Sequence, residues 1–92
     1  MKLSQKIIFP DTVFAQEVDG ETVLLDMDSE NYFGLDKVGT VMWQTLHDKI
    51  VLAEALQSLL EMYEVEEKVL KEDLLHFVER LEKNGLVEVK NV

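Results

Sequence analysis

The chain contains no cysteine, so neither disulfides nor thiolate-bound metal can hold it together, and stability has to come from packing. It has one proline and four glycines, too few for a linker or a low-complexity tract; they act as punctuation. No apolar run approaches the roughly 20 residues of a bilayer span. The first such run, Ile7-Ile8-Phe9, stops at Pro10 and is also too short for a signal peptide. Positive charge is scarce as well. Nine lysines and arginines face 19 aspartates and glutamates, a net charge of −10. Such a chain repels phosphate backbones, which argues against a nucleic-acid partner. A cytoplasmic protein with neither nucleic-acid nor membrane partners is the expectation.

What is present suits one small globular domain over residues 1–92, with 1–11 as a loose lead-in. Apolar residues make up 47% of the chain, enough for a modest core. Residues 6–9 are compatible with a short strand. Val13–Val18 and Glu21–Asp26 read as strands joined by Asp19-Gly20, a two-residue hairpin signal. Met27–Asn31 is polar and turn-rich, and Tyr32–Leu35 reads as a third strand. Asp36 then stands as an N-cap before a helix carrying Val38, Val41, Met42, Trp43 and Leu46. Gly39, near the start of that helix, suggests close packing on the sheet. A second helix is expected over about 51–63 and a third over about 67–83, stopped by Asn84-Gly85. Leu86–Val89 fits either a final short strand or a tail on the core. Strands grouped ahead of helices indicate an α+β fold, winged-helix-like, with a three-stranded antiparallel sheet followed by three helices.

The residues that usually carry catalysis lack their usual context. There is no Gly-rich phosphate loop, and Ser4, Ser29 and Ser58 have no nucleophile-elbow surroundings. His47 and His76 are far apart in sequence, and neither has a second histidine one helical turn away. They read as a helix-end and a helix-surface histidine. Asp26-x-Asp28-x-Glu30 lacks the glycine and the distal glutamate of a calcium loop. The expectation is a non-enzyme with no cofactor and no metal.

Two features point to binding instead. A strand at Tyr32–Leu35 that ends its sheet exposes a row of backbone donors and acceptors, unless the N-terminus or Leu86–Val89 covers it. In the third helix, Leu70, Leu74, Phe77, Val78 and Leu81 form a core stripe, and Leu75 falls outside it. The apolar face is therefore wider than one packing surface needs, with Leu75, Val78, Lys71 and Glu82 as its groove side.

These residues resemble a known family. Val18-Asp19-Gly20-Glu21-Thr22-Val23-Leu24-Leu25-Asp26, followed by Asn31-Tyr32-Phe33-Gly34-Leu35-Asp36-Lys37-Val38-Gly39 and Trp43, is similar to the PqqD-like family. That family includes the D protein of pyrroloquinoline quinone biosynthesis and the recognition proteins of lasso-peptide pathways. Ala55-Leu56, Tyr63 and the Phe77-to-Leu86 ending extend the resemblance over about residues 13–88. It implies a precursor-peptide recognition element. The leader segment of a ribosomally made peptide would add as an antiparallel strand to the third strand, against the third helix. The domain would then present the precursor to a modifying enzyme, such as a radical S-adenosylmethionine enzyme or a leader peptidase. Carried over residue by residue, the resemblance implies a docking edge at Asn31, Tyr32, Phe33, Gly34 and Leu35. The helical wall it implies is Lys71, Leu74, Leu75, Val78 and Glu82. The turn Asp28-Ser29-Glu30-Asn31 departs from the family, which often has arginine or lysine in place of Asn31.

Two alternatives stand beside this. A small acidic structural module could dimerise through its strand edges. A DNA-binding winged helix would need a basic third helix. Here Lys68, Lys71, Arg80 and Lys83 are outnumbered by Glu67, Glu72, Asp73, Glu79 and Glu82.

Overall fold

The computed structural model describes residues 1–92. Its elements in chain order are β1 (Lys6–Ile8), β2 (Val13–Val18), β3 (Glu21–Asp26), β4 (Asn31–Leu35), α1 (Lys37–Asp48), α2 (Leu52–Met62), α3 (Glu67–Lys83) and β5 (Glu88–Lys90). The expected α+β order is present, with a three-stranded antiparallel sheet, β2-β3-β4, ahead of three helices. A second, two-stranded sheet pairs β1 with β5.

Local chemistry builds the larger sheet. Asp19 and Gly20 take φ of 54° and 82°, the two positive values of a type I′ turn, and this sets Val18 opposite Glu21. The next turn is organised by Asp26. Its carboxylate accepts the Asp28 N–H at 3.1 Å and the Ser29 hydroxyl at 3.1 Å. Glu30 closes the turn with φ of 61° and donates its N–H to the Asp26 carbonyl at 2.7 Å. The acidic run 26–30 is thus a hydrogen-bonded turn that aims β4 back along β3.

Alternation divides the sheet into two faces. Thr22, Leu24, Asp26 and Leu35 are buried on the inner face. There they meet α1, and the Thr22 and Thr40 hydroxyls share a buried hydrogen bond of 2.9 Å. Asp36 caps α1 as expected, accepting the Gly39 N–H at 2.7 Å. Leu24, Trp43, Leu46, Leu52, Leu59, Leu74, Val78 and Leu81 belong to one continuous core. Each fully buried aliphatic side chain contributes about 1.5–3 kcal/mol.

Residues 1–11 are not a loose lead-in. The carbonyls of Leu3 and Gln5 accept the Ala53 and Leu52 N–H groups at 2.9 and 3.0 Å, and the Ile7 N–H reaches the Ile50 carbonyl at 2.9 Å. The start of α2 has no side-chain cap, so the N-terminal segment satisfies its orphan donors. Leu86 and Val87 are core residues, and the strand begins one residue later, at Glu88. No helix is long and apolar enough to cross a membrane.

Candidate functional site

The strand β5 pairs with β1, so it does not cover β4, and β4 pairs only with β3. The register identifies which backbone groups this leaves open. In a two-residue hairpin the flanking residues, Val18 and Glu21, exchange both hydrogen bonds. Glu21, Val23 and Leu25 therefore bond toward β2, while Thr22, Leu24 and Asp26 bond toward β4. Their partners there are Leu35, Phe33 and Asn31. The N–H and C=O groups of Tyr32 and Gly34 must then point outward along the free edge. An added strand meets two donors and two acceptors.

Alternation also divides the β4 side chains. Tyr32 lies on the outer sheet face, 74% exposed, while Phe33 turns inward. Arg80 of α3 places its guanidinium 5.4 Å from the centroid of the Phe33 ring, within cation–π range. Beside this contact is an open cleft of about 310 Å³ between the start of α1 and α3. Val38, Met42 and Phe77 give it apolar surface, and Asp36, Asp73, His76 and Arg80 are its polar lining. Gly39 lets the helices approach here. A Cβ on it would lie 3.4 Å from both Leu35 Cβ and Phe77 Cε1 and 3.2 Å from the Asp36 carboxylate. A bulkier residue there would press Phe77 into the cleft.

The edge residues Asn31–Leu35 stand where the sequence places them, although Leu35 faces the core. The helical wall does not. Leu74 and Val78 have no exposed surface and belong to the core, so neither lines a groove. Lys71, Leu75 and Glu82 lie about 140–180° around the helix axis from Arg80, and Arg80 marks the side facing β4. Leu75 packs half-buried against the core, and Glu82 borders a cleft beside Val89 and Asn91 of the small sheet. The flank that carries Arg80 also carries Asp73, His76 and Phe77, which line the cleft between α1 and α3 with it. Phe77 was visible in the sequence only as part of the core stripe. The Arg80 flank also had a signal in the sequence: Val69, Asp73, His76 and Arg80 share one side of the helix, and Val69 is an exposed apolar residue there.

The opposite sheet edge, β2, is also unpaired. It faces α1, and the Gln44 side-chain amide donates to both Glu17 carboxylate oxygens at 3.2 Å. Nearby, Phe9 stacks on His47 with centroids 3.6 Å apart, and Trp43 meets both rings edge-on. Partial burial in this cluster lowers the His47 pKa below its usual 6.5. No group of three or more histidine or acidic side chains is arranged to hold a metal ion.

A free strand edge near an amphipathic helix is an arrangement that can accept an added strand. Residues 21–87 match the model of the family described as coenzyme PQQ synthesis protein D (PqqD), and the chain belongs to that family. Two solved structures are similar over nearly the whole domain. One is TbiB1 in complex with the TbiA(beta) leader peptide. It is 31% identical, with a TM-score of 0.82, and the match covers 88% of this chain and 94% of that one. The other is a lasso peptide synthetase B1 complexed with the leader peptide. It is 28% identical, with a TM-score of 0.80, and the match covers 90% and 98% of the two chains. No curated protein sequence matches the chain.

Proposed function

We propose that this protein is a non-catalytic recognition element. It binds the leader segment of a ribosomally made precursor peptide by strand addition to β4 and presents the precursor to a modifying enzyme or leader peptidase. The observation that carries this reading is the open edge of β4, where the backbone groups of Tyr32 and Gly34 point outward and Arg80 of α3 reaches the Phe33 ring. Two similar proteins are complexes with leader peptides, which supports the same ligand class. An antiparallel leader strand would pair two residues with Tyr32 and Gly34. The leader residue between them, opposite Phe33, would project its side chain toward Phe77, His76 and Arg80.

The test is a calorimetric titration with the synthetic leader of the cognate precursor peptide. The reading expects one leader per chain with a Kd of about 1 μM or tighter, equivalent to roughly −8 kcal/mol. Absence of binding would contradict it. Pairing of strand edges between copies, as a structural module would do, is disfavoured by the net charge of −10.

A further inference from the structure

The solvent face of the β2-β3-β4 sheet is apolar where a sheet face open to water is ordinarily polar. Cross-strand register lines up Phe14, Leu25 and Tyr32 in one row, with Gln16, Val23 and Gly34 in the next. Phe14 is 58% exposed and Val23 45%. Five of the six residues around the central depression are apolar. The surrounding charge is mostly acidic, with Lys37 beside Gly20 at one turn. Between Asp11 and Asp36 there are eight carboxylates and no lysine, arginine or histidine. Asp19, Glu21, Asp28 and Glu30 stand at the two ends of this sheet, in or beside its turns.

We propose that this face is a second docking surface, for a protein whose apolar centre is ringed by lysine and arginine, and that this protein is the enzyme receiving the leader-bound precursor. The second clause rests on the leader-docking reading. Charge complementarity selects the occupant. A second copy of this chain would bring the carboxylates of Asp19, Glu21, Asp28 and Glu30 against their counterparts. A basic-rimmed partner is instead attracted and oriented. Continuity gives the reason for the position. Tyr32 offers its backbone to the leader at the edge and its ring to this face, and leader residues paired with Tyr32 and Gly34 would project onto the same face. A partner docked here touches domain and leader together.

The probe is the purified enzyme that processes the cognate precursor, titrated against the full chain without leader. Phe14→Lys and Val18→Lys are exposed changes on this face of β2, the strand farthest from the β4 edge. Each is expected to weaken enzyme binding by about tenfold or more, with leader affinity unchanged, which also shows the fold is intact. Wild-type affinity for the enzyme should fall several-fold as salt rises. Enzyme binding unaffected by both changes would overturn the surface, and salt-independent binding would overturn its basic rim. A dimer of the wild-type chain, dissolved by Phe14→Lys in sedimentation, would show that a second copy covers the face. A leader that fails to bind the wild-type chain would instead count against the leader reading, because the enzyme titration is made without it.

Discussion

Gly85 shows how a single residue ends an element. Its φ is +72°, its N–H bonds the Glu82 carbonyl at 3.0 Å, and the Leu86 N–H bonds the Leu81 carbonyl at 2.9 Å. This is a Schellman cap, and it turns Leu86 and Val87 into the core. Gly85→Ala should destabilise the fold by about 1–2 kcal/mol, measured by urea unfolding, because alanine resists the left-handed region. Asp36→Ala should cost about 1 kcal/mol through loss of the α1 cap. His47 gives a pH dependence. Its folded pKa is lowered by burial, so the unfolded chain takes up the proton first, near pH 6.5. Its contribution is intact above that pH, declines as pH falls toward the lowered folded value, and then levels off. Thermal melts of wild type and His47→Gln between pH 7.5 and 5.5 should therefore converge toward acid, and parallel curves would contradict this. Asp36, Gly85 and the Asp19-Gly20 turn were legible in the sequence because each obeys a rule spanning only a few residues. The left-handed Glu30 was not, since the Asp26 turn around it has no equally sharp signature.

At the scale of elements, the strands and helices were legible from periodicity, but their neighbours were not. A helical pattern shows that α3 has two flanks beside its core stripe. It does not show which flank faces β4. The expected wall fell on the flank away from Arg80 and Phe33 for that reason, and Leu74 and Val78 are core residues. The pairing of β1 with β5 joins the two ends of the chain, beyond the reach of any local pattern. The corrected wall makes a directional prediction. Arg80→Glu should weaken leader binding several-fold, while Glu82→Lys, on the far side of the same helix, should leave it unchanged. Leu75→Asp should lower thermal stability without altering leader affinity. Equal effects of Arg80→Glu and Glu82→Lys would place the leader elsewhere. The edge itself can be tested by Gly34→Pro. This removes an outward N–H and leaves the bonds to β3 in place, so leader affinity should fall about tenfold with the sheet retained.

At the scale of the whole molecule, fold class and family were readable early. Scarce basic residues argued against a nucleic-acid partner, and the local runs around Asp19-Gly20 and Tyr32–Leu35 carried the family resemblance that the match over residues 21–87 bears out. Composition alone could not show that both edges of the larger sheet would be open. The choice between them is the central claim, and amide hydrogen exchange followed residue by residue during leader titration tests it most directly. The account predicts that the Tyr32 and Gly34 amides, exposed in the free protein, become protected when leader binds, while Ala15 and Glu17 on β2 do not change. Protection at Ala15 and Glu17 with Tyr32 and Gly34 still exchanging freely would contradict it.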